Sequence, residues 1–210
     1  MKISEITAFL ENAFDELNAA YFDGTLPKVT ITIQSSPKAY GHFTVKEVWR
    51  DQKEAQSRHE INLGAENLNR PLLNTIGTLV HEMVHLYCHV HEIKDTSRNG
   101  VYHNKRFKEE AEKRALLMEY DKRIGWSVTR PTPELTAFVK QKWKQTSINL
   151  CREGDFGADA RTTKKSSARK YACPICDQSV RATKDVLILC GACSHEGNPI
   201  MMVNAEALGI

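Results

Sequence analysis

The segment His81-Glu82-Met83-Val84-His85 lies within residues 71–91, where Leu73, Ile76, Val80, Met83, Val84 and Tyr87 recur at helical steps. This run is apolar on most sides, which predicts a buried central helix. Four residues advance a helix by about one turn, so both imidazoles of H-E-x-x-H leave one face, about 6 Å apart along the axis. That spacing suits two nitrogens converging on one tetrahedral zinc. Glu82 flanks the pair, where a carboxylate can take a proton from a water whose pKa a metal lowers. Two imidazoles and a carboxylate buried without partners would be costly, so they need something to bind. The other reading is a dead site of hydrogen-bonded core residues.

A catalytic zinc calls for a third protein ligand. His89 would sit about 12 Å along a straight helix from His81, too far to share an ion. His91 completes a spacing close to H-E-x-x-H-x-x-G-x-x-H, but Cys88 stands at the glycine position and removes the freedom to turn back sharply. His103 is favoured: it follows the polar loop HEIKDTSRNG and stands at the start of a further predicted helix, packed antiparallel to the first. His91 stays open as the second choice and Glu92 as the third.

Upstream, Ile3, Ile6, Leu10, Phe14, Leu17 and Tyr21 form the stripe of an amphipathic helix that Asp23-Gly24 ends. Val29, Ile31 and Ile33 alternate with polar residues, predicting a half-buried strand, and weaker strand signals follow at 39–44 and 59–63. The charged stretch KEVWRDQKEAQSR between the last two connects antiparallel strands on this reading. Downstream, Phe107, Ala111, Ala115 and Met118 predict a helix over about 104–122, stopped at Gly125. Another begins at Pro133, a favoured first-turn residue, and includes Leu135, Phe138, Val139 and Trp143.

Cys173-Pro174-Ile175-Cys176 and Cys190-Gly191-Ala192-Cys193 are two C-x-x-C pairs separated by thirteen residues. Two such turns close a four-thiolate tetrahedral site with no open position, which makes its zinc structural. The spacing is slightly short but adequate, and pairing of 179–182 with 186–189 would give a zinc ribbon. A single C-x-x-C could be a redox pair; two together point to metal. His195 is not needed as a ligand. Cys88 and Cys151 read as inert thiols.

The chain has 210 residues and a formal net charge of +3, long enough for one sizeable core and a small second module. No run of eighteen apolar residues spans a membrane. The acids in MKISEITAFLENAFDEL do not fit a signal peptide, so a cytoplasmic protein is expected. Up to Arg130, 18 basic residues balance 18 acidic ones, whereas from Pro131 onward 11 basic residues face 8 acidic. Residues 152–170 are almost devoid of apolar side chains and read as a linker. Within it RTTKKSSARK carries five positive charges and no acid, and beside a ribbon this favours nucleic acid as partner. The predicted organisation is residues 1–150, a basic linker 151–170 and a ribbon 171–205.

The stretch from His81 to Phe107 resembles the SprT-like family of zinc metalloproteases, which includes the DNA–protein crosslink protease Spartan. The resemblance rests on HEMVH, the loop Asp95 to Gly100, and His103-Asn104-Lys105-Arg106-Phe107. It also rests on Tyr21-Phe22-Asp23-Gly24-Thr25-Leu26-Pro27 after an amphipathic helix, and it covers most of residues 5–125. It implies a zincin-like α+β domain with a small antiparallel sheet, His81, His85 and His103 on a catalytic zinc, and Glu82 as general base. A C-terminal ribbon, here Cys173, Cys176, Cys190 and Cys193 on a second zinc, is similar to an arrangement frequent in that family. The function so implied is an endopeptidase acting on DNA-associated or DNA-crosslinked proteins, associated with nucleoid or chromatin. Other readings are a repressor-cleaving peptidase, against which the lack of a helix-turn-helix pattern argues, and a non-catalytic nucleic-acid-binding protein. Tyr40, His42 and Tyr102 are candidate oxyanion donors.

Overall fold

The computed structural model describes residues 1–53, 55–153 and 168–204. The architecture is mixed α+β, and by its internal contacts the chain divides into two compact units, Met1–Gly154 and Asp155–Ile210.

The first unit opens with α1 (Ile3–Tyr21), whose Ile6, Leu10, Phe14 and Leu17 are buried as the stripe requires. The chain leaves the helix through Asp23 and Gly24, both at positive φ, the left-handed exit that glycine favours. Three strands follow: β1 (Thr30–Gln34), β2 (Gly41–Asp51) and β3 (Gln56–Gly64), in the order β1-β3-β2. The expected antiparallel sheet is a mixed one. β2 and β3 are antiparallel, but β1 runs parallel to β3, because the chain crosses from β1 to the far edge before returning through the centre. The charged stretch expected as a connection is itself strand for most of its length. Asp51 pairs with Gln56, so only four residues separate β2 from β3.

Helix α2 (Leu72–Val90) lies against this sheet with Ile76, Leu79, Val80, Met83, Val84 and Leu86 fully buried. Each such side chain contributes about 1.5–3 kcal/mol on leaving water. None of the four α-helices among the described residues is long and apolar enough to cross a membrane.

The predicted helix over 104–122 stops early. Helix α3 covers Lys105–Glu112, and the chain then forms a hairpin of β6 (Leu116–Asp121) and β7 (Gly125–Pro131). Ala115 takes a left-handed φ of 58° and its carbonyl accepts from Thr132 N at 3.0 Å. From there Leu116 and Met118 are buried while Leu117 is exposed, so a period of two replaces the helical one. The short strands β4 (Thr96–Ser97) and β5 (Tyr102–His103) complete a sheet ordered β4-β5-β7-β6. Thr132 caps α4 (Pro133–Trp143) by accepting from Leu135 N, with the proline in its first turn.

In the second unit β8 (Arg169–Ala172) is central, between β9 (Ser179–Ala182) and β10 (Val203–Asn204). The expected pairing of 179–182 with 186–189 does not form. Val186 N instead donates to the Tyr171 hydroxyl at 3.4 Å, and Leu187 is 90% exposed. Most of the expected linker, residues 154–167, lies outside the described residues, as does the end of the expected ribbon.

Candidate metal centre

The site begins with helix geometry. His81 and His85, one turn apart on α2, face the same way with ring centroids 5.0 Å apart. His103 reaches them from β5, not from the start of a helix as expected. Its backbone N donates to the Ile124 carbonyl at 3.0 Å and it pairs with Gly125 of β7. The adjacent Asn104 opens α3: its Oδ1 accepts from Arg106 N at 2.8 Å and Phe107 N at 3.2 Å. Capping of this kind satisfies backbone donors that a helix start leaves free. It also fixes Phe107, whose ring lies 4.7, 4.4 and 4.7 Å from the rings of His81, His85 and His103.

Nε2 of His103 is 3.3 Å from Nε2 of His81 and 2.9 Å from Nε2 of His85. The outer nitrogens of His81 and His85 have separate partners. His85 Nδ1 lies 2.6 Å from Asp95 Oδ2, and a carboxylate can only accept, so this nitrogen carries the proton. His81 Nδ1 lies 2.7 Å from the Thr129 hydroxyl, which can accept from the ring when its own proton goes to the Ser127 carbonyl at 3.2 Å. Both Nε2 atoms then aim lone pairs at His103. One proton there could serve only one of them.

A single cation would satisfy all three. Tetrahedral zinc with nitrogens at about 2.0–2.1 Å places its ligands about 3.3 Å apart, close to the spacing here. Burial, with the neighbouring imidazoles His85 and His103, holds His81 well below its ordinary pKa. Burial and then His85 lower His103 to about 4. Both are neutral at pH 7, as metal ligands must be. The donor set fits zinc.

Glu82 is buried on the sheet side of α2. Burial pushes its pKa up to about 7, against the opposing pull of His85 and a hydrogen bond from the Phe43 backbone. Gly41 of β2 makes this approach possible: a Cβ there would lie 3.1 Å from Glu82 Oε1 and 3.0 Å from the Asn62 carbonyl. Its backbone passes directly over the carboxylate.

The other expected metal ligands are not part of the imidazole cluster. The ring of His89 packs 5.0 Å from that of His59, and His91 lies 4.1 Å from Tyr87. Glu92 is exposed in the turn after α2. Tyr40 is covered by the Arg70 guanidinium at 3.9 Å, His42 faces Glu60 at 3.9 Å, and the Tyr102 hydroxyl meets that of Tyr120 at 3.3 Å. Sequence reasoning missed Thr129 and Gly41, and it noted Asp95 without a role. No local signal marks a threonine 48 residues from the histidine it touches.

In the second unit the thiols of Cys173, Cys176, Cys190 and Cys193 all lie within 4.8 Å of one another, with Cys176 and Cys190 sulfurs 3.6 Å apart. Zinc–sulfur bonds of about 2.3 Å place tetrahedral ligands about 3.75 Å apart, so this set also fits zinc. Burial raises Cys173, but the backbone N–H groups of Cys176 and Ile175 together with the Cys190 and Cys176 thiols outweigh it and bring the thiol to about 7. By contrast, burial pushes Cys88 up to about 12, an unreactive thiol.

The SprT-like family model matches residues 10–124, the span from α1 to the turn before β7. Comparison with curated proteins and with solved structures gave no match.

Proposed function

The chain belongs to the SprT-like family, and from that membership and the geometry of its site we propose that it is a zinc-dependent endopeptidase of zincin-like fold. The observation that carries this reading is the convergence of three imidazole nitrogens, spaced for one ion, on the helix that also presents Glu82. His81, His85 and His103 would hold the catalytic zinc. Zinc, when bound, supplies Lewis acidity to the scissile carbonyl and the attacking water. Glu82 acts as general base: it takes the proton of that water and later returns it to the leaving amine. Without an ion, burial raises the Glu82 pKa to about 7; a cation held by the three imidazoles would favour the carboxylate form that a general base needs. Asp95 and Thr129 hold two of the rings in the tautomer that directs Nε2 inward.

The four cysteines would hold a second, structural zinc. The substrate class is proteins bound or crosslinked to DNA; the positive excess after Pro131 and the ribbon beside the basic stretch support it.

The test compares the protein with Glu82→Gln on a protein crosslinked to single-stranded DNA. Cleavage by the first and none by the second, with zinc content equal, is the expected result. No cleavage by the unaltered protein, with or without DNA, would leave a zinc-stabilised binding protein as the answer.

A further inference from the structure

The two neighbours of His103 in the chain, Tyr102 and Asn104, line a separate open cleft of about 460 Å³ with Lys105, Tyr120 and Trp126. Its walls are aromatic. The rings of Tyr120 and Trp126 have centroids 5.2 Å apart, and the hydroxyls of Tyr102 and Tyr120 meet at 3.3 Å. Tyr120 is 53% exposed, so a large planar surface faces water here.

The rim is cationic. Arg98 lies 4.8 Å over the Tyr102 ring and Lys108 lies 4.4 Å over that of Trp126. Among the described residues Lys108 pairs with Glu112 at 3.6 Å, whereas neither Arg98 nor Lys105 pairs with a carboxylate. Rings that can stack and cations without counter-ions ask for one solute that is planar and anionic. An aromatic side chain of a peptide would satisfy the rings and leave the charges unmatched. A duplex would offer phosphates but keep its bases stacked on one another.

We propose that this cleft binds an unpaired base of a single-stranded nucleic acid, with the adjoining phosphates on Arg98 and Lys105. Stacking platforms beside positive side chains hold single strands in this way, with little dependence on sequence. The inference deepens the reading under Proposed function, on which it rests for its purpose. Tyr102, His103 and Asn104 are consecutive, so a strand seated here is anchored on the segment that carries the third imidazole, and a protein attached to that strand is held beside the site.

The test irradiates the full chain and its Glu82→Gln variant with an oligothymidine carrying one 5-iodouracil, then maps the crosslinked peptides. Adducts are expected at Tyr102, Tyr120 or Trp126. Tyr120→Ala and Lys105→Glu, both surface changes, should each weaken oligothymidine binding about tenfold. An oligouridine arm identifies the sugar, and tighter binding of either strand supports the site. Adducts confined to residues beyond 150, with affinity unchanged in both variants, would overturn the proposal. So would equal competition by duplex, or a Tyr120→Ala effect limited to the KM of a DNA-free peptide. Crosslinking needs no turnover, so adducts in the cleft without proteolysis would reject the peptidase and leave this site standing.

Discussion

Oδ2 of Asp95 lies 2.6 Å from Nδ1 of His85, and the loop that carries Asp95 is pinned by Asn104, whose N donates to the Asp95 carbonyl at 2.9 Å. One residue thus caps α3, follows His103 and holds the orienting carboxylate of His85. Burial works against ionised Asp95, yet the hydrogen bond from His85 leads the contributions that keep its pKa lowered. Asp95→Ala is therefore expected to weaken zinc binding about 10- to 100-fold, read by competition with a chromophoric chelator. Unchanged affinity would show that His85 is oriented without it.

Gly125 has φ +70°, and a Cβ there would overlap the His103 carbonyl oxygen. Gly125→Ala should cost about 2–4 kcal/mol from left-handed strain and overpacking, and should lower zinc content at the imidazole cluster. Gly100→Ala is the control: φ is +87° but nothing lies within 4 Å of the added carbon, so only strain of about 1–2 kcal/mol applies. Denaturant unfolding of both variants checks the contrast. Equal losses would mean that the β5–β7 approach does not matter.

The sign of Glu82's effect on stability follows from its raised pKa. Between the ordinary value of 4.5 and about 7, the folded state holds the proton more tightly than the unfolded one, so stability falls as pH rises through this window. In metal-free protein Glu82→Gln should then be nearly neutral at pH 4 and stabilising at pH 8, by up to about 3 kcal/mol. Urea unfolding at the two pH values measures it; a gain that is the same at both would contradict the assignment.

Acid should also release metal from the imidazole cluster. His103 is lowered to about 4 and His81 well below its usual value, so in metal-free protein these rings lose stability as pH falls from about 6.5 towards 4. Bound zinc should push that loss to lower pH, seen as a zinc-dependent shift in an acid unfolding curve. Identical curves with and without zinc would remove the metal from this cluster.

Cys176→Ser should halve the zinc per chain and unfold the β8–β9–β10 unit, since so small a unit depends on its metal. Elemental analysis together with circular dichroism of the full chain checks this. Retention of all the zinc would place the second ion elsewhere.

Much of this was legible in one dimension because the chemistry is local. The four-residue step of HEMVH puts two imidazoles on one helix face whatever surrounds them. The stripe from Ile6 to Leu17 and the alternation at Val29, Ile31 and Ile33 likewise carry their own period. Two C-x-x-C turns each present two thiolates by backbone geometry alone. Where a segment satisfied two periods, the helical one was the more visible in sequence and it misled. Ala111, Ala115 and Met118 fit a helix, while Leu116 and Met118 fit a strand; the left-handed turn at Ala115 and the pairing with β7 decided for the strand.

What the chain alone determined, then, was the residue types and short-range spacing that make a metal centre feasible: His81, Glu82 and His85 on one helix, and four thiols in two turns. Tertiary structure decided which distant groups complete it. His103 arrives on a strand because Gly125 lets β7 come close; Thr129 and Gly41 reach the site across sheet contacts; Asp95 is held there by Asn104. Such groups are joined by packing over dozens of residues, and spacing along the sequence carries no trace of a contact that only the folded backbone creates.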